Sequence, residues 1–505
     1  MKRILVMFLL SVAFASADIV CYVGGSSGSN TNGGWALSTV AAADAVGANG
    51  AAKYDAVGAD PSESVAPAGT KLTKAGEFAA SLADIYAYCD ATGDMADNHY
   101  KILASDADSV TIDLAWNALY DNDTVDVYVG GSLAETDQGL DDGLNHTMSS
   151  AAAQNVTVKV YDSTGTIPIS TSHVFANGGT APYVLKVQGC DSSWVPLAVG
   201  SYINLDADLT NLDAAIFSIT DLSNIWIEGL GFLHNDSGAG DAPGAAEHGI
   251  YINRTAGSPS GHVIRNCYFT DCYYGLYIFS TSVIDPYIQQ CVFTTMANSC
   301  IYQNATRGEV AFCILDGSNY AGPVTNRGYN YHDNYVLGGT YAFSATLVLS
   351  IKNNSCYGQT VAGVYLNGTG YNSIILNNIF FVADPAADYA IQRNAGMYYE
   401  DYNITNADTA ALSGFQAPFT GGHSYYDLPF DEALGRPFTD GSAGNLTLNT
   451  ADAVIAIPYC IDKGIPTIGA TISTGNGYTT IGAYQLTQTQ SGVSPSLGAR
   501  LPGEL

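Results

Sequence analysis

The middle of the chain repeats a short strand-like phrase at a nearly constant interval, and this repeat restricts the possible folds more than any other feature. Each phrase ends in two apolar or aromatic residues, as residues 263–269 (VIRNCYF) do. Aligning the phrases on their last residue gives steps of 24, 22, 21, 21 and 23 residues. The aligned residues are Phe269, Phe293, Leu315, Val336, Tyr357 and Phe380. A unit this short cannot bury an apolar face alone, so the repeat predicts coils that stack on one another.

A second phrase follows most of the first ones, for example Gly249-Ile250-Tyr251-Ile252 and Gly275-Leu276-Tyr277-Ile278. Two or three short strands per repeat, separated by Gly, Asn, Asp and Ser, are typical of one coil of a parallel β-solenoid. A leucine-rich repeat would need its own leucine frame, and a propeller blade would need roughly 40 residues. Neither pattern is present, so we predict an all-β solenoid.

Equivalent inward positions of a solenoid lie above one another, because neighbouring parallel strands are only about 4.8 Å apart. The spacing therefore predicts one buried column of stacked apolar side chains. Its members are Phe232, Phe269, Phe293, Leu315, Val336 and Phe380.

Three cysteines, Cys267, Cys291 and Cys313, each stand two residues before an aligned apolar residue. We expect them to share one side of one sheet in successive coils. The distance between stacked coils is compatible with a disulfide, but a stack of buried free thiols is the favoured interpretation because cysteine packs as a small hydrophobe. The chain has 10 cysteines and no Cys-x-x-Cys, so a zinc finger or a thioredoxin-like motif is not indicated.

The repeats resemble those of the right-handed parallel β-helix proteins of the pectate-lyase-like superfamily, over about half to two thirds of the chain. Residues 22–30 (YVGGSSGSN) and 480–484 (TIGAY) look like the two ends of secreted bacterial members. The resemblance implies a right-handed parallel β-helix. It does not imply one function, because the superfamily includes lyases, hydrolases, epimerases, adhesins and tailspikes.

The sequences near the two ends of the chain predict export and a cap at each end of the solenoid. Residues 1–17 combine two cations, an apolar run and a final Ala-Ser-Ala, which is typical of a signal peptide. We place an N-terminal cap and first strands at 18–125, the β-helix coils at 126–397, C-terminal coils and a looped cap at 398–486, and a flexible tail at 487–505. Within the N-terminal cap, the apolar spacing from Thr70 to Cys89 predicts a helix, and residues 100–114 predict a hairpin.

The charge balance restricts the partners. With 47 Asp and Glu against 17 Lys and Arg, the formal net charge is −30, which disfavours nucleic acid and anionic membranes as partners. No later segment offers about 20 apolar residues in a row, so no transmembrane anchor is expected. The oligomeric state is left open by the sequence.

Five residues are candidates for catalysis because the repeat places them in nearby coils. They are His248, Arg254, Arg307, Arg327 and Asp333. Solvated turn residues that pair with local acids are the alternative interpretation, and we expect the five not to converge.

A calcium site is possible at Asp121, Asp123 and Asp126, since the segment 121–126 (DNDTVD) is rich in oxygen ligands but lacks the glycine and final glutamate of an EF-hand. No other cofactor is indicated. The Arg-x-x-Pro-x-x-Arg motif of pectate lyases and the Asp-Asp, Gly-His-Gly and Arg-Ile-Lys pattern of polygalacturonases are both absent from the sequence.

These observations favour an exported β-helix protein that binds extracellular polysaccharide or a cell-surface glycan, or that forms part of a cell-surface layer, without assigned catalysis. Tyrosine and asparagine repeated at coil spacing would suit sugar rings through stacking and hydrogen bonding. The alternative is a polysaccharide lyase or glycoside hydrolase acting in the β-helix groove. A viral tailspike is a third alternative, which the signal peptide disfavours.

Overall fold

The computed structural model describes the chain in segments. They are residues 19–24, 29, 35–37, 52–59, 69–74, 76, 78, 82, 86–92, 94–96, 98–115, 124–129, 133–145, 155–176, 178–179, 181–207, 212, 214–234, 247–283, 285–304, 307–317, 324–325, 329–346, 349–367, 372–394, 397–407, 412–413, 424–425, 427–430, 437–440, 445–448 and 451–453. The predicted signal peptide and the predicted tail lie outside these residues. Among the helices of the described segments, none is both long enough and apolar enough to span a bilayer.

The chain winds through three parallel sheets in turn, which makes a right-handed parallel β-helix and confirms the predicted fold class. The strands of sheet 1, in spatial order, are Trp35–Leu37, Ile19–Gly24, Val156–Tyr161, Leu185–Gly189, Ile225–Glu228, Val263–Arg265, Tyr287–Gln289, Glu309–Ala311, Tyr329–His332, Leu349–Lys352, Asn372–Leu376 and Met397–Asp401. Those of sheet 2 are Thr166–Pro168, Ile203–Asp206, Leu230–Leu233, Tyr268–Thr270, Val292–Met296, Ile314–Gly317, Tyr335–Leu337, Ser355–Gln359, Ile379–Val382 and Ile404–Thr405. Those of sheet 3 are His173–Val174, Phe217–Thr220, His248–Asn253, Tyr274–Ile278, Ser299–Gln303, Val324–Thr325, Tyr341–Ala345, Ala362–Leu366, Tyr389–Arg393 and Leu412–Ser413.

The predicted apolar column lies on the inner face of sheet 2. All six predicted members are 0% exposed, and neighbouring members are register partners in successive strands up to Val336. Phe269 and Phe293 stack with ring centroids 4.6 Å apart and an angle of 5° between the rings. One aligned residue is wrong: Cys356, not Tyr357, stands between Val336 and Phe380 in the column. The coil from Val336 to Cys356 has 20 residues, one fewer than the predicted step, so Tyr357 points to the other face.

The glycine that opens many second phrases is explained by this column. A β-carbon on Gly249 would lie 2.6 Å from Cδ1 of Phe269, and one on Gly275 would lie 2.5 Å from Cδ1 of Phe293. No side chain fits at such distances, so glycine allows sheet 3 to pack directly against the phenylalanine rings.

Seven successive turns between sheet 1 and sheet 2 share one backbone form. A residue with φ between 49° and 58° is followed in each turn by a buried residue that points inward. The inward residues are Cys267, Cys291, Cys313, Asn334, Asn354, Asn378 and Asn403. The predicted cysteine column is thus confirmed, and it continues as a column of asparagines.

The two halves of this column use the same hydrogen-bond pattern. Oδ1 of Asn354 accepts a hydrogen bond from the backbone N–H of Asn334 at 3.0 Å, while its Nδ2 donates to the carbonyl of Lys352 at 3.0 Å. In the cysteine half, the sulfur of Cys291 accepts from the backbone N–H of Cys267 and its thiol donates to the carbonyl of Gln289 at 3.3 Å. All nine described cysteines are free and buried, so the thiol interpretation holds for them. Cys460 lies outside the described residues.

The N-terminal region differs from the prediction. The strand Ile19–Gly24 already pairs in parallel with Val156–Tyr161 in sheet 1, and a closed antiparallel barrel is inserted between the two. The barrel strands are Ala52–Ala59, Thr70–Thr73, Tyr86–Thr92, Asn98–Ser105, Ser109–Ile112 and Thr124–Val129.

The barrel bears on three predictions about this region. The predicted hairpin is confirmed by the antiparallel pairing of Asn98–Ser105 with Ser109–Ile112. The predicted helix from Thr70 to Cys89 is wrong, because its apolar residues belong to two separate barrel strands, Thr70–Thr73 and Tyr86–Thr92, in which Leu72 and Cys89 are buried. The start of the coils at residue 126 is also wrong, since Thr124–Val129 closes the barrel.

A helix does cover the N-terminal end of the solenoid, at Asp137–Asn145. The hydroxyl of Thr136 accepts a hydrogen bond from the backbone N–H of Gly139 at 3.2 Å and caps the helix. Nε2 of His173 in sheet 3 lies 2.9 Å from Asp137, and its Nδ1 lies 3.3 Å from Asp141. Burial opposes the charged form of His173, but these two carboxylates outweigh it and raise its pKa. The ion pairs therefore fasten the helix to the first coil.

The C-terminal region folds back over the outer face of sheet 2. Tyr335, Ile379 and Ile404 form a second buried cluster there with Phe438 and Leu446. The last two belong to the antiparallel pair Phe438–Asp440 and Asn445–Leu448. The outer face of the later strands of sheet 2 is thus covered, whereas sheets 1 and 3 present rows of polar and aromatic side chains.

Candidate functional site

A row of tyrosines follows the outer face of sheet 3. Tyr251, Tyr277 and Tyr302 are register partners in three successive strands, and Tyr273 and Tyr274 stand beside them. We call these five residues the tyrosine face. In each strand the inward neighbours are buried, as Ile250 and Ile252 are, so strand alternation turns the tyrosines outward.

The rings of the tyrosine face contact one another. The ring centroids of Tyr251 and Tyr277 are 5.4 Å apart, and those of Tyr277 and Tyr302 are 5.1 Å apart. Tyr274 lies 4.9 Å from Tyr277, and Phe279, which is 50% exposed, lies 5.7 Å from it. The result is a continuous, partly exposed aromatic surface that runs along the solenoid axis.

The row resumes further along the same sheet. Val324 and Ser344 are the next two residues in this register after Tyr302, and Tyr365 is the third. Tyr365 stacks on Tyr341 with centroids 4.6 Å apart and accepts a hydrogen bond from Nδ2 of Asn394 at 2.6 Å. Three coils at about 4.8 Å each place it about 14 Å beyond Tyr302.

His248 lies against the tyrosine face and is held in its neutral form. It is 5% exposed, and its ring centroid is 4.7 Å from that of Tyr277 and 5.3 Å from that of Tyr274. Burial, and to a smaller extent nearby His234, lower the pKa of His248 to about 4. Burial also raises the pKa values of Tyr251 and Tyr277, so their hydroxyls stay protonated. The face is therefore neutral and offers flat rings with hydroxyl groups at their rim.

The outer face of sheet 1 has a different chemistry. Glu228 lies 2.7 Å from Nζ of Lys186 and also pairs with Arg265 on its other side. Nε2 of Gln188 donates a third contact to Glu228 at 2.8 Å. Burial opposes ionisation of Glu228, but its two cations outweigh burial and lower its pKa. Glu228 is thus engaged by Lys186, Gln188 and Arg265, and the group is an ion-pair network within the protein.

A second polar group follows further along sheet 1, with Glu309 on the third strand after that of Glu228. His332, 7% exposed, places Nδ1 2.8 Å from Asp333 and Nε2 3.6 Å from Glu309. Burial opposes protonation, but the two carboxylates raise the pKa of His332 to about 9. Burial also raises the pKa of Asp333, against the effect of its histidine partner. Gln289 donates to Glu309 at 2.8 Å and extends the group.

The five catalytic candidates lie at different places. His248 belongs to the surroundings of the tyrosine face, and Arg254 follows the same strand and donates to the hydroxyl of Ser282. Arg307 is 70% exposed and lies 3.3 Å from Asp285, while Asp333 bonds to His332. Arg327 lies outside the described residues. Within the described segments, no hydrogen bond or ion pair joins any two of the other four, and their catalytic role stays a prediction.

The calcium candidates lie mostly beyond what the structure describes. Asp126 stands in the barrel strand Thr124–Val129, opposite Asp90 of a neighbouring strand. Asp121 and Asp123 are not among the described residues. In the described part of the chain, no three His, Cys, Asp or Glu side chains are grouped in a way that could hold a metal ion. The calcium site therefore stays a prediction.

Sequence reasoning missed two features of these surfaces. Tyrosine takes the third place of four second phrases, at Tyr251, Tyr277, Tyr302 and Tyr365, and this regularity could have identified the row. The grouping of Glu309 with His332 had no such signal, because the two residues are 23 positions apart and meet only through the register of sheet 1.

Comparisons with known proteins give distant likenesses only. No protein-family model matches the chain, and no curated protein matches it. The enzymatically active domain of tailspike protein 2 of bacteriophage CBA120 is 13% identical with a TM-score of 0.36, covering 72% of this chain and 54% of that one. Gp54, a tailspike of the Acinetobacter baumannii bacteriophage AP22 solved with a capsular saccharide, is 9% identical with a TM-score of 0.18, covering 75% of this chain and 61% of that one. The chain thus spans less than two thirds of either tailspike chain, and the fold assignment rests on its own three sheets.

Proposed function

We propose that the protein binds a polysaccharide along the tyrosine face of sheet 3. The observation that carries this proposal is the register column of Tyr251, Tyr277 and Tyr302, whose rings are partly exposed and 5.1 to 5.4 Å apart. Amphipathic aromatic rings suit ligands that have both apolar faces and hydroxyl edges.

Three properties of this surface favour a sugar polymer over a small ligand. The row is long, because Tyr365 repeats the tyrosine position three coils after Tyr302. The face is neutral, because His248 has a pKa of about 4. Its spacing is also regular, since the residues at this position are register partners on adjacent strands of one sheet. A chain of sugar rings can lie across such a surface and repeat the same contact.

We propose that the protein acts outside the cell, as an exported β-helix protein of the pectate-lyase-like kind, free or as part of a cell-surface layer. The support is the signal-peptide pattern of residues 1–17 and the end motifs at 22–30 and 480–484. Expression in a bacterial host with N-terminal sequencing tests the export. A mature chain beginning at Asp18 in the medium or envelope supports it, and an uncleaved cytoplasmic chain contradicts it.

The binding proposal is tested by affinity electrophoresis against a panel of neutral and acidic polysaccharides. For any polysaccharide that binds, Tyr277→Ala is expected to weaken affinity about fivefold, since it removes an aromatic contact worth roughly 1 kcal/mol. Tyr277→Phe, which keeps the ring, is expected to change affinity by less than about threefold.

The matched control is Tyr287→Ala. Tyr287 is 40% exposed on the outer face of sheet 1, so its loss removes an exposed tyrosine from a different surface. Unchanged affinity in Tyr287→Ala together with the loss in Tyr277→Ala supports the proposal. Equal affinities of wild type and Tyr277→Ala, or no binding to any polysaccharide, contradict it.

A second candidate function, polysaccharide cleavage, is favoured by one observation on sheet 1. Glu309 and Asp333 flank His332, and burial raises the pKa of Asp333, which is the direction that a general acid needs. Assays for reducing ends and for unsaturated ends on the bound polysaccharide test it. Release that is lost in both Glu309→Gln and Asp333→Asn supports cleavage. We expect no release.

A further inference from the structure

Lys352 differs from the other described cations on the outer face of sheet 1. Lys186 pairs with Glu228 at 2.7 Å, and Lys159 donates to the carbonyl of Trp194 at 2.8 Å. Lys352 stands on the same face, next to His332 in the register, and is half-buried. Its ammonium group makes no hydrogen bond and no ion pair with any described residue. In a chain with 47 acidic residues, a partly desolvated lysine without a counter-ion is unusual.

The surroundings of Lys352 provide a second unsatisfied group. Ser350 precedes it by two residues and faces the same way, and its Oγ is buried without a hydrogen-bond partner in the described structure. Beyond Ser350 in the same row come Ile374 and Tyr399, each 40% exposed. The hydroxyl of Tyr399 donates to Asp401 at 3.2 Å, which fixes its ring. A cation, a hydroxyl and an apolar shelf thus lie side by side.

The charged groups around Lys352 do not neutralise it. On one side His332 is protonated and is engaged with Glu309 and Asp333. On the other side the register partner is Leu376, and the next carboxylate, Asp401, lies one strand further and accepts from the backbone N–H of Tyr402 at 2.9 Å. Burial lowers the pKa of Lys352, with no carboxylate acting against it. An anion placed here would restore the interactions that the ammonium group loses on desolvation.

We propose that Lys352 and Ser350 bind the oxyanion of an acidic sugar, a carboxylate or a sulfate ester, whose ring lies on Ile374 and Tyr399. This second site lies on a different sheet from the tyrosine face and does not depend on it. It gives the protein a preference for anionic sugars that its net charge of −30 would not suggest.

Calorimetric titration with three oligosaccharides of matched length tests the site: one of uronic acids, one sulfated and one neutral. The wild type binds at least one anionic oligosaccharide more tightly than the neutral one. Lys352→Met weakens that binding about tenfold or more, because a hydrogen bond to a charged group is worth about 1.5 to 3 kcal/mol. Lys352→Arg keeps the charge and retains binding within about threefold.

Lys74→Met is the matched control, since it removes the same charge from an exposed lysine outside the solenoid sheets and is expected to change nothing. The uronate and sulfate arms identify which anion is preferred, and a preference for either supports the site. The proposal is overturned if Lys352→Met binds the anionic oligosaccharides as the wild type does, or if the wild type binds all three alike. Failure of Tyr277→Ala to alter binding would count against the tyrosine face alone.

Chemical labelling gives an independent readout. Mass spectrometry after brief acylation measures the reactivity of each lysine with and without the anionic oligosaccharide. Lys352 is expected to become protected at saturation, while Lys186, already paired with Glu228, shows no change. Unchanged labelling of Lys352 at saturation contradicts the proposal.

Discussion

His332 and His248 are buried to a similar degree, 7% and 5% exposed, but their pKa values move in opposite directions. Two carboxylates on sheet 1 raise that of His332 to about 9, whereas burial among tyrosines beside sheet 3 lowers that of His248 to about 4. The two surfaces of one solenoid therefore differ in kind. The outer face of sheet 1 holds charge in paired networks, and the tyrosine face excludes it.

The difference shows that one repeat can carry different side-chain chemistry on its different sheets. Stacked coils place equivalent residues above one another, so each outer face can carry its own row of side chains along the solenoid axis. On sheet 3 the repeated residue is tyrosine, which leaves surface open for a ligand. On sheet 1 the charges of Glu228 and Glu309 are mostly used in contacts within the protein, and Lys352 is the described exception.

The largest expected effect concerns His332 on the charged face. Because its folded-state pKa is raised, the stability it contributes is fully present below pH 6.5 and is lost as the pH rises towards 9. The change amounts to at most about 3 kcal/mol over this window. Denaturant unfolding at intervals from pH 6 to pH 9 should show this decline in the wild type and a flatter profile in His332→Gln. Parallel profiles would contradict the assignment.

The opposite effect is expected for His248 beside the tyrosine face. Its folded-state pKa is lowered to about 4. The unfolded chain therefore binds a proton below pH 6.5, whereas the folded protein binds it only near pH 4. Stability falls by about 2 to 3 kcal/mol as the pH drops through this window. His248→Gln should lose that part of the acid sensitivity and leave the range from pH 6.5 to 9 unchanged. His262, whose pKa burial also lowers to about 4, stays present in both proteins. Equal acid sensitivity in the two proteins would be the contrary result.

Removing the central acid of the charged network should cost less. Glu228→Gln leaves Lys186 and Arg265 without their carboxylate in a partly buried site, and we expect a loss of about 2 kcal/mol in the free energy of unfolding. The control is Asp285→Asn, whose pair with the 70% exposed Arg307 should contribute less than about 0.5 kcal/mol. Equal losses in the two variants would show that the network on sheet 1 is no more than a set of surface pairs.

The smallest expected effect on stability distinguishes Lys352 from Lys186, which both lie on the outer face of sheet 1. Lys352→Met should raise stability by about 0.5 kcal/mol, because it removes a half-buried charge without a partner. Lys186→Met should lower stability by about 1 kcal/mol, because it leaves Glu228 with one cation fewer. Thermal unfolding of both variants at pH 7 measures the signs. Effects of the same sign would remove the distinction between the two lysines.

The sequence predicts the column of Phe269, Phe293 and Leu315 well, because inward apolar residues repeat once per coil and are therefore visible in the spacing. The predicted register is wrong by one residue at Cys356 because a coil that is one residue shorter does not change the pattern of apolar residues. The asparagine column was overlooked for a similar reason. Asn354 and Asn378 look like turn residues, and only the register shows that they point inward.

The N-terminal region was harder to predict. Apolar residues from Leu72 to Cys89 match a helical spacing by chance, since the segment holds two barrel strands with a loop between them. The opposite pKa shifts of His248 and His332 also could not be foreseen. Each depends on residues from other coils, such as Tyr277 and Glu309, that become neighbours only after the solenoid has wound.

The most direct test of the account is hydroxyl-radical footprinting of the protein with and without the polysaccharide that binds most tightly. Mass spectrometry then reports the oxidation of each tyrosine. The account predicts protection of Tyr251, Tyr277 and Tyr302 on sheet 3, with no change at Tyr287, which is 40% exposed on sheet 1. Unchanged oxidation of the three sheet 3 tyrosines at saturating polysaccharide would contradict it.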